Sequence, residues 1–319
     1  GAGFAPDAVS LKGYSGTSGS NNWYIANTVM GNTKTLRWND ATAETTTTDS
    51  ILSFDSDGYT LGADATANCN ATGTNYVGYN WKAGTTSGIS GGTITPTAYS
   101  ISTTAGQSII AYTGTGSAAT IPHGLGVAPD MIIVKRLGSS DNWNVGHTSI
   151  TWDFTQKLNN SSAKTNDNTI WNDTAPDATV FSIGTSTEVN TNLSTYIAYC
   201  FADKSGYSQF SSYLGNSAAS GTFQYTGFRP AFVMTKRTPA VGDWMLFDNK
   251  RLGYNVDNNN LNPNLSGAQG TTDYMDILSN GFKMRTTDAL VNDGGTQYLY
   301  AAFAEFPFVS SNDLPGVAR

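Results

Sequence analysis

The sequence predicts an all-β protein made of three tandem β-sandwich-like repeat domains of about a hundred residues each. Three observations carry that prediction. An apolar, Tyr-rich stretch occurs three times, as Tyr76-Val-Gly-Tyr-Asn-Trp, Tyr196-Ile-Ala-Tyr-Cys-Phe and Tyr298-Leu-Tyr-Ala-Ala-Phe, at spacings of 120 and 102 residues. Other landmarks keep nearly the same offsets: a Gly-x-x-Pro turn at Gly3, Gly126 and Gly227, a Lys six residues after its Pro (Lys12, Lys135, Lys236), and a Trp at Trp23, Trp143 and Trp244. A register held across several landmarks outranks local propensity in deciding architecture. Composition supplies the third observation, since only 13% of residues are charged and Ser, Thr, Asn and Gly provide the polar surface. That mix favours strands and tight turns over helices. The boundaries read as 1–97, 98–205 and 206–319.

Repeat one opens on the Gly-x-x-Pro turn, which recurs inside the later repeats, with proline where a strand can begin. Next come strands at Ala8 to Lys12, Met131 to Lys135 and Phe232 to Lys236. Met131-Ile-Ile-Val134 is apolar on both faces and suits a strand covered on both sides. The repeated Trp heads a second strand, and Trp23, Trp143 and Trp244 read as core. Residues 31–50, 152–175 and 248–274 are rich in Asn, Thr and Asp, with runs such as Asp257-Asn-Asn-Asn260. They read as surface loops. Asp57-Gly58 and Asn280-Gly281 mark hairpin turns. The Tyr-rich strand closes each unit, so Tyr76, Tyr196 and Tyr298 join the core, and residues 83–104 read as a linker.

The later repeats also carry a strand before the Gly-x-x-Pro turn, at Ser108 to Thr113 and Gln209 to Leu214. Its counterpart would lie upstream of Gly1. Repeat one therefore lacks its first strand and is expected to rely on preceding residues or on a strand from a partner chain.

A formal net charge of −7 argues against nucleic acid, which requires clustered Lys and Arg. The pairs Lys135-Arg136 and Lys236-Arg237 read as structural or rim residues. No stretch is long and apolar enough for a membrane-spanning helix. Cys69 and Cys200 occupy non-equivalent positions and read as two free thiols. Nucleophilic catalysis finds no Gly-x-Ser-x-Gly elbow. His123 and His147 are unrepeated and read as structural, no spaced Cys/His cluster suggests zinc, and no enzyme is expected. Asp55 and Asp57, two carboxylates on one tight turn, are the candidate calcium ligands. Glycan binding needs exposed aromatics beside polar groups, and Trp38, Trp152 and Trp171, unrepeated and in the polar segments, are the candidates.

The phrasing of Gly3-Phe-Ala-Pro-Asp7, Ser53-Phe-Asp-Ser-Asp-Gly-Tyr-Thr-Leu-Gly62, Ile121-Pro-His-Gly-Leu-Gly-Val-Ala-Pro-Asp130 and the unit from Thr222 to Arg319 resembles repeated domains in virion proteins of marine tailed phages, including cyanophages and pelagiphages. The resemblance implies a protein on the virion exterior, among other virion proteins. It points to a tail-fibre or adhesion module for host-surface glycans or proteins, with trimers favoured. The alternatives are an architectural capsid-decoration, head-fibre or baseplate component and, third, a polysaccharide depolymerase. It supplies no catalytic residues.

Overall fold

Short runs of β-branched and aromatic residues, broken by Gly, Asn, Asp and Ser, leave few windows that a helix could use. The computed structural model describes residues 2–17, 21–63, 69–251, 255 and 259–306. There the protein is all-β, with two α-helices of four residues each and one 3-10 helix at Thr148–Ile150.

The first stretch contains β1 (Ala8–Gly16), β2 (Trp23–Asn27), β3 (Lys34–Arg37), β4 (Thr45–Thr46), β5 (Ile51–Asp55), β6 (Gly58–Leu61) and β7 (Thr74–Trp81). Its main antiparallel sheet runs β4-β3-β2-β1-β7, and β5-β6 form a separate hairpin. The second contains β8 (Ala98–Ser102), β9 (Gln107–Thr113), β10 (Ala119–Pro122), β11 (Met131–Arg136), β12 (Asn144–His147), β13 (Phe154–Lys157), β14 (Thr165–Asn166), α1 (Asn168–Trp171), β15 (Val180–Ile183), α2 (Thr187–Asn190) and β16 (Thr195–Phe201). Its main sheet runs β14-β13-β12-β11-β16-β9-β8, with β10-β15 apart. The third contains β17 (Ser208–Leu214), β18 (Phe223–Tyr225), β19 (Pro230–Arg237), β20 (Met245–Asp248), β21 (Met275–Leu278), β22 (Gly281–Met284) and β23 (Gln297–Ala304). Its sheets run β17-β23-β19-β20 and β18-β22-β21.

The turn that starts each main sheet has a clear chemical requirement. Gly3, Gly126 and Gly227 sit at φ of 79°, 73° and 79°, a region glycine enters without steric penalty. The closing tyrosines share a second device. Tyr76, Tyr196 and Tyr298 each accept a hydrogen bond at the hydroxyl from the backbone N–H five residues earlier, of Ala71, Thr191 and Asp293, at 2.9, 2.7 and 2.8 Å. Tyr196 and Tyr298 are fully buried, whereas Tyr76 is only half-buried.

The three main sheets are apolar on both faces for different reasons. Outward, each packs on its smaller layer: Val9, Ala26 and Ile51 form one such cluster, Ile132, Ile183 and Phe181 another, Val233, Phe282 and Met284 a third. Inward, all three contribute to one cluster that unites Trp23, Trp143 and Trp244 with Ile25, Met131, Tyr199, Phe232 and Leu299. The sequence reading of a core for each unit therefore misses a second, shared core.

The polar segments expected to be loops are largely ordered against neighbouring sheets. They hold β3, β4, β13, β14 and α1, and residues 83–104 hold β8, which pairs with β9. Asp257 and Asn258 lie outside the described residues. Cys69 and Cys200 are free and buried.

Candidate functional site

The shared core is closed by bonds that pass from each sheet to the next and return. The indole N–H of Trp143 donates to the Arg37 carbonyl at 2.8 Å, that of Trp244 to Lys157 at 2.8 Å, and that of Trp23 to Asn262 at 3.0 Å. Backbone bonds repeat the circuit: Glu44 N–H to Leu137, Lys164 to Thr238, and Gln269 to Tyr14. A third circuit uses different side chains in one role. Asn27 donates to the Tyr199 hydroxyl at 2.7 Å, His147 Nε2 lies 3.3 Å from the Tyr300 carbonyl, and the Tyr79 hydroxyl donates to Asp248 at 2.7 Å.

Each of these tryptophans is oriented locally by an asparagine. Asn39, Asn159 and Asn264 accept the backbone N–H of Trp23, Trp143 and Trp244 through Oδ1 at 2.7, 2.9 and 2.9 Å. The sequence reading missed these residues. The signal was the recurrence of Asn sixteen residues after Trp23 and Trp143, which the third copy stretches to twenty.

The aromatic residues proposed for glycan contact are core residues. Trp38, Trp152 and Trp171 expose 7%, 8% and 0% of their surface. Trp38 stacks on Trp23 with ring centroids 5.5 Å apart, and Trp152 meets Trp171 edge-on at 5.6 Å. The physical reason is that short strands and a helix draw the polar segments back onto the sheets. Trp171 rides on α1, whose first turn is held by Asp167 accepting from the Thr169 N–H. The candidate calcium ligands are engaged as turn acceptors. Asp55 accepts from Ser53 and Thr60, and Asp57 from the Gly3 N–H at 2.6 Å. Among the described residues no three His, Cys, Asp or Glu side chains gather as a metal site.

Lys12, Lys135 and Lys236 are fully buried, which for the latter two fits the structural alternative of the structural-or-rim reading and not the rim. Their ammonium groups donate to backbone carbonyls: Gly13, Asn21 and Ser266 for Lys12, Arg136 and Ser139 for Lys135, and Arg237 for Lys236. Burial lowers each pKa to about 8. The two cysteines and two histidines are similarly enclosed. Burial pushes the Cys200 thiol up to about 12 and lowers His147 to about 4. His123 is buried too, with Nε2 3.0 Å from the Asp177 carbonyl. A protonated, sealed thiol is a poor nucleophile.

A groove of about 630 Å³ runs along β7. Val77, Tyr79 and Trp81 of β7 line it together with Tyr207, Phe232 and Phe303, and the Tyr79 ring meets Phe232 edge-on with centroids 5.3 Å apart. Asp248 and Lys250 lie at its margin. Burial raises the Asp248 carboxyl, but the Arg251 guanidinium, at 2.6 Å, outweighs it and holds the pKa below the usual range. Burial and that neighbouring carboxylate raise the Tyr79 hydroxyl well above its ordinary value. The groove thus offers an apolar floor and one strand edge, a surface suited to polypeptide.

Comparison with known proteins finds a family model, a domain of unknown function (DUF7483), that matches residues 1–307. No curated protein and no solved structure matches.

Proposed function

We propose that this chain, which belongs to the DUF7483 family, is a non-catalytic architectural component on the outside of a tailed-phage virion, in contact with other virion proteins. The observation that carries this reading is the closed circuit of inter-sheet bonds around one core. Such wiring makes a rigid body, while both thiols and both imidazoles are sealed inside it. The tryptophans that an adhesive tip would present are buried as well, which favours an architectural role over the adhesion module. The resemblance of the sequence to marine tailed-phage virion domains supplies the setting. Mass spectrometry of purified particles, followed by whole-particle reconstruction, tests the proposal. It expects density for this chain packed against neighbouring virion proteins, and absence from the particle sinks it.

One observation favours adhesion as a second reading. Phe223 and Tyr225 are 43% and 60% exposed, and residues two apart on a strand share a face. They sit on the edge strand β18. If this face binds host glycans, Tyr225→Ala abolishes binding to host cells while leaving the melting temperature within a degree or two.

A further inference from the structure

The closing strands of the three main sheets are treated unequally. β16 is hydrogen-bonded to β11 on one side and β9 on the other, and β23 likewise lies between β19 and β17. Among the described residues β7 pairs with β1 alone. The Trp81 carbonyl accepts from Asp7 on the β1 side, so the antiparallel alternation turns the N–H and C=O groups of Gly78 and Asn80 outward. The Asn80 side chain bends back toward the Gly78 carbonyl at 3.4 Å, and its own Oδ1 is buried with no partner among the described residues.

The small layers show the same inequality. β15 pairs with β10 and β22 pairs with β18, but among the described residues β6 pairs only with β5. Thus, among the described residues, two edges of the first stretch are unpaired, and in the second the corresponding edges are filled by one continuous segment, residues 107–122. The end of that segment also has a counterpart. His123 N–H donates to Thr179 and Thr226 N–H to Asn280, and Ala2 N–H reaches Asp57 in the same way at 2.9 Å. The groove completes the correspondence. Ile109 from β9 and Phe210 from β17 enter the shared core, opposite Tyr199 and Ala301 in the ladders. Opposite Tyr79, the equivalent place is occupied by the groove.

We infer that β7 and β6 together form a docking site for one donor segment of polypeptide patterned like residues 107–122, which adds a strand antiparallel to β7, crosses to β6 and ends beside Ala2. Main-chain bonds supply the affinity and alternate side chains the specificity, as in strand addition generally. The register follows from β9: an apolar residue opposite Tyr79 fills the groove, a serine stands opposite Asn80 beside its partnerless oxygen, and a tyrosine falls opposite Tyr76. This inference stands apart from any setting in a virion.

The test joins a copy of residues 107–122 directly to Ala2 and follows backbone amide exchange. A control makes the substitutions Ser108→Pro and Ile110→Pro within the copied segment, which removes the N–H groups that face the acceptor strand. The expected result is exchange at Gly78 and Asn80 slowed on the order of tenfold or more, with a higher Tm, in the fusion but not in the control or the starting chain. Equal exchange in all three proteins overturns the inference. So does a starting chain that is already protected at Gly78 and Asn80 and dimeric in solution, since a second copy would then own the edge.

Discussion

Replacing Trp143 by Phe tests whether the three sheets are one cooperative body. The ring is fully buried, and its N–H donates to the Arg37 carbonyl on the neighbouring sheet at 2.8 Å. Leaving a buried carbonyl without its donor costs about 1–3 kcal/mol, and the smaller ring leaves a void costing about 1–2 kcal/mol more. The sum of roughly 2–5 kcal/mol lowers Tm by on the order of 5–10 °C in a chain of this size. Trp171→Phe is the internal control. Trp171 is equally buried, but its indole N–H has no partner among the described residues, so its substitution should cost only the void. Guanidinium unfolding followed by far-UV circular dichroism gives the two values. Amide exchange in Trp143→Phe should show protection lost in residues 8–81 as well as 107–201. A cost equal to that of Trp171→Phe, or protection lost in the second stretch alone, would refute the idea that the indole circuit ties the sheets together.

Three further outcomes follow from the same structure. The lysines at 12, 135 and 236 have folded pKa values of about 8 against 10.5 when unfolded. The unfolded chain therefore holds more protons between those limits, and stability rises with pH from about 8 toward 10. Above pH 10 the buried tyrosines, raised by burial, act in the opposite sense; Lys135→Met should show a smaller rise in alkaline urea titrations. His147 has a folded pKa of about 4 against 6.5, so its contribution falls as pH drops from 6.5 to 4. His147→Asn, which installs the residue used at the matching position 27, should be more resistant than the parent over that window in acid unfolding curves. Adding a chelator should leave the Tm unchanged, because the Asp55 and Asp57 carboxylates already serve as turn acceptors; a drop of several degrees would restore calcium to the β5-β6 turn.

What could be read from the residues was whatever is local and recurrent. The positive φ of Gly3, Gly126 and Gly227, the buried Trp heading each second strand, and the two-sided burial of Met131 to Val134 all leave a signature within a few positions. The identity of what covers the second face does not, because the covering residues lie about a hundred positions away. Trp38 shows the difference. Taken singly it is a tryptophan in a polar segment, but it precedes Asn39 as Leu158 precedes Asn159, and that alignment would have placed it in the core. Trp171 had no such guide, since α1 occupies a place where the first and third stretches use strands β5 and β21. The edges of β7 and β6, unpaired among the described residues, were half legible: the offsets show that β9 and β17 have no counterpart between Gly1 and Gly3, but the groove beside β7 left no local signal.

The third circuit, in which Asn27, His147 and Asp248 serve at matching positions, bears on evolution and stoichiometry. In an assembly of identical subunits any substitution appears at every symmetry-related place at once. A single chain can drift at one place and keep the others. Three dissimilar side chains in one role are the trace of that freedom, and the unequal edges are its outcome. Among the described residues the inferred docking site, β7 with β6, occurs once where a symmetric trimer would repeat it three times, so that site admits a single donor segment.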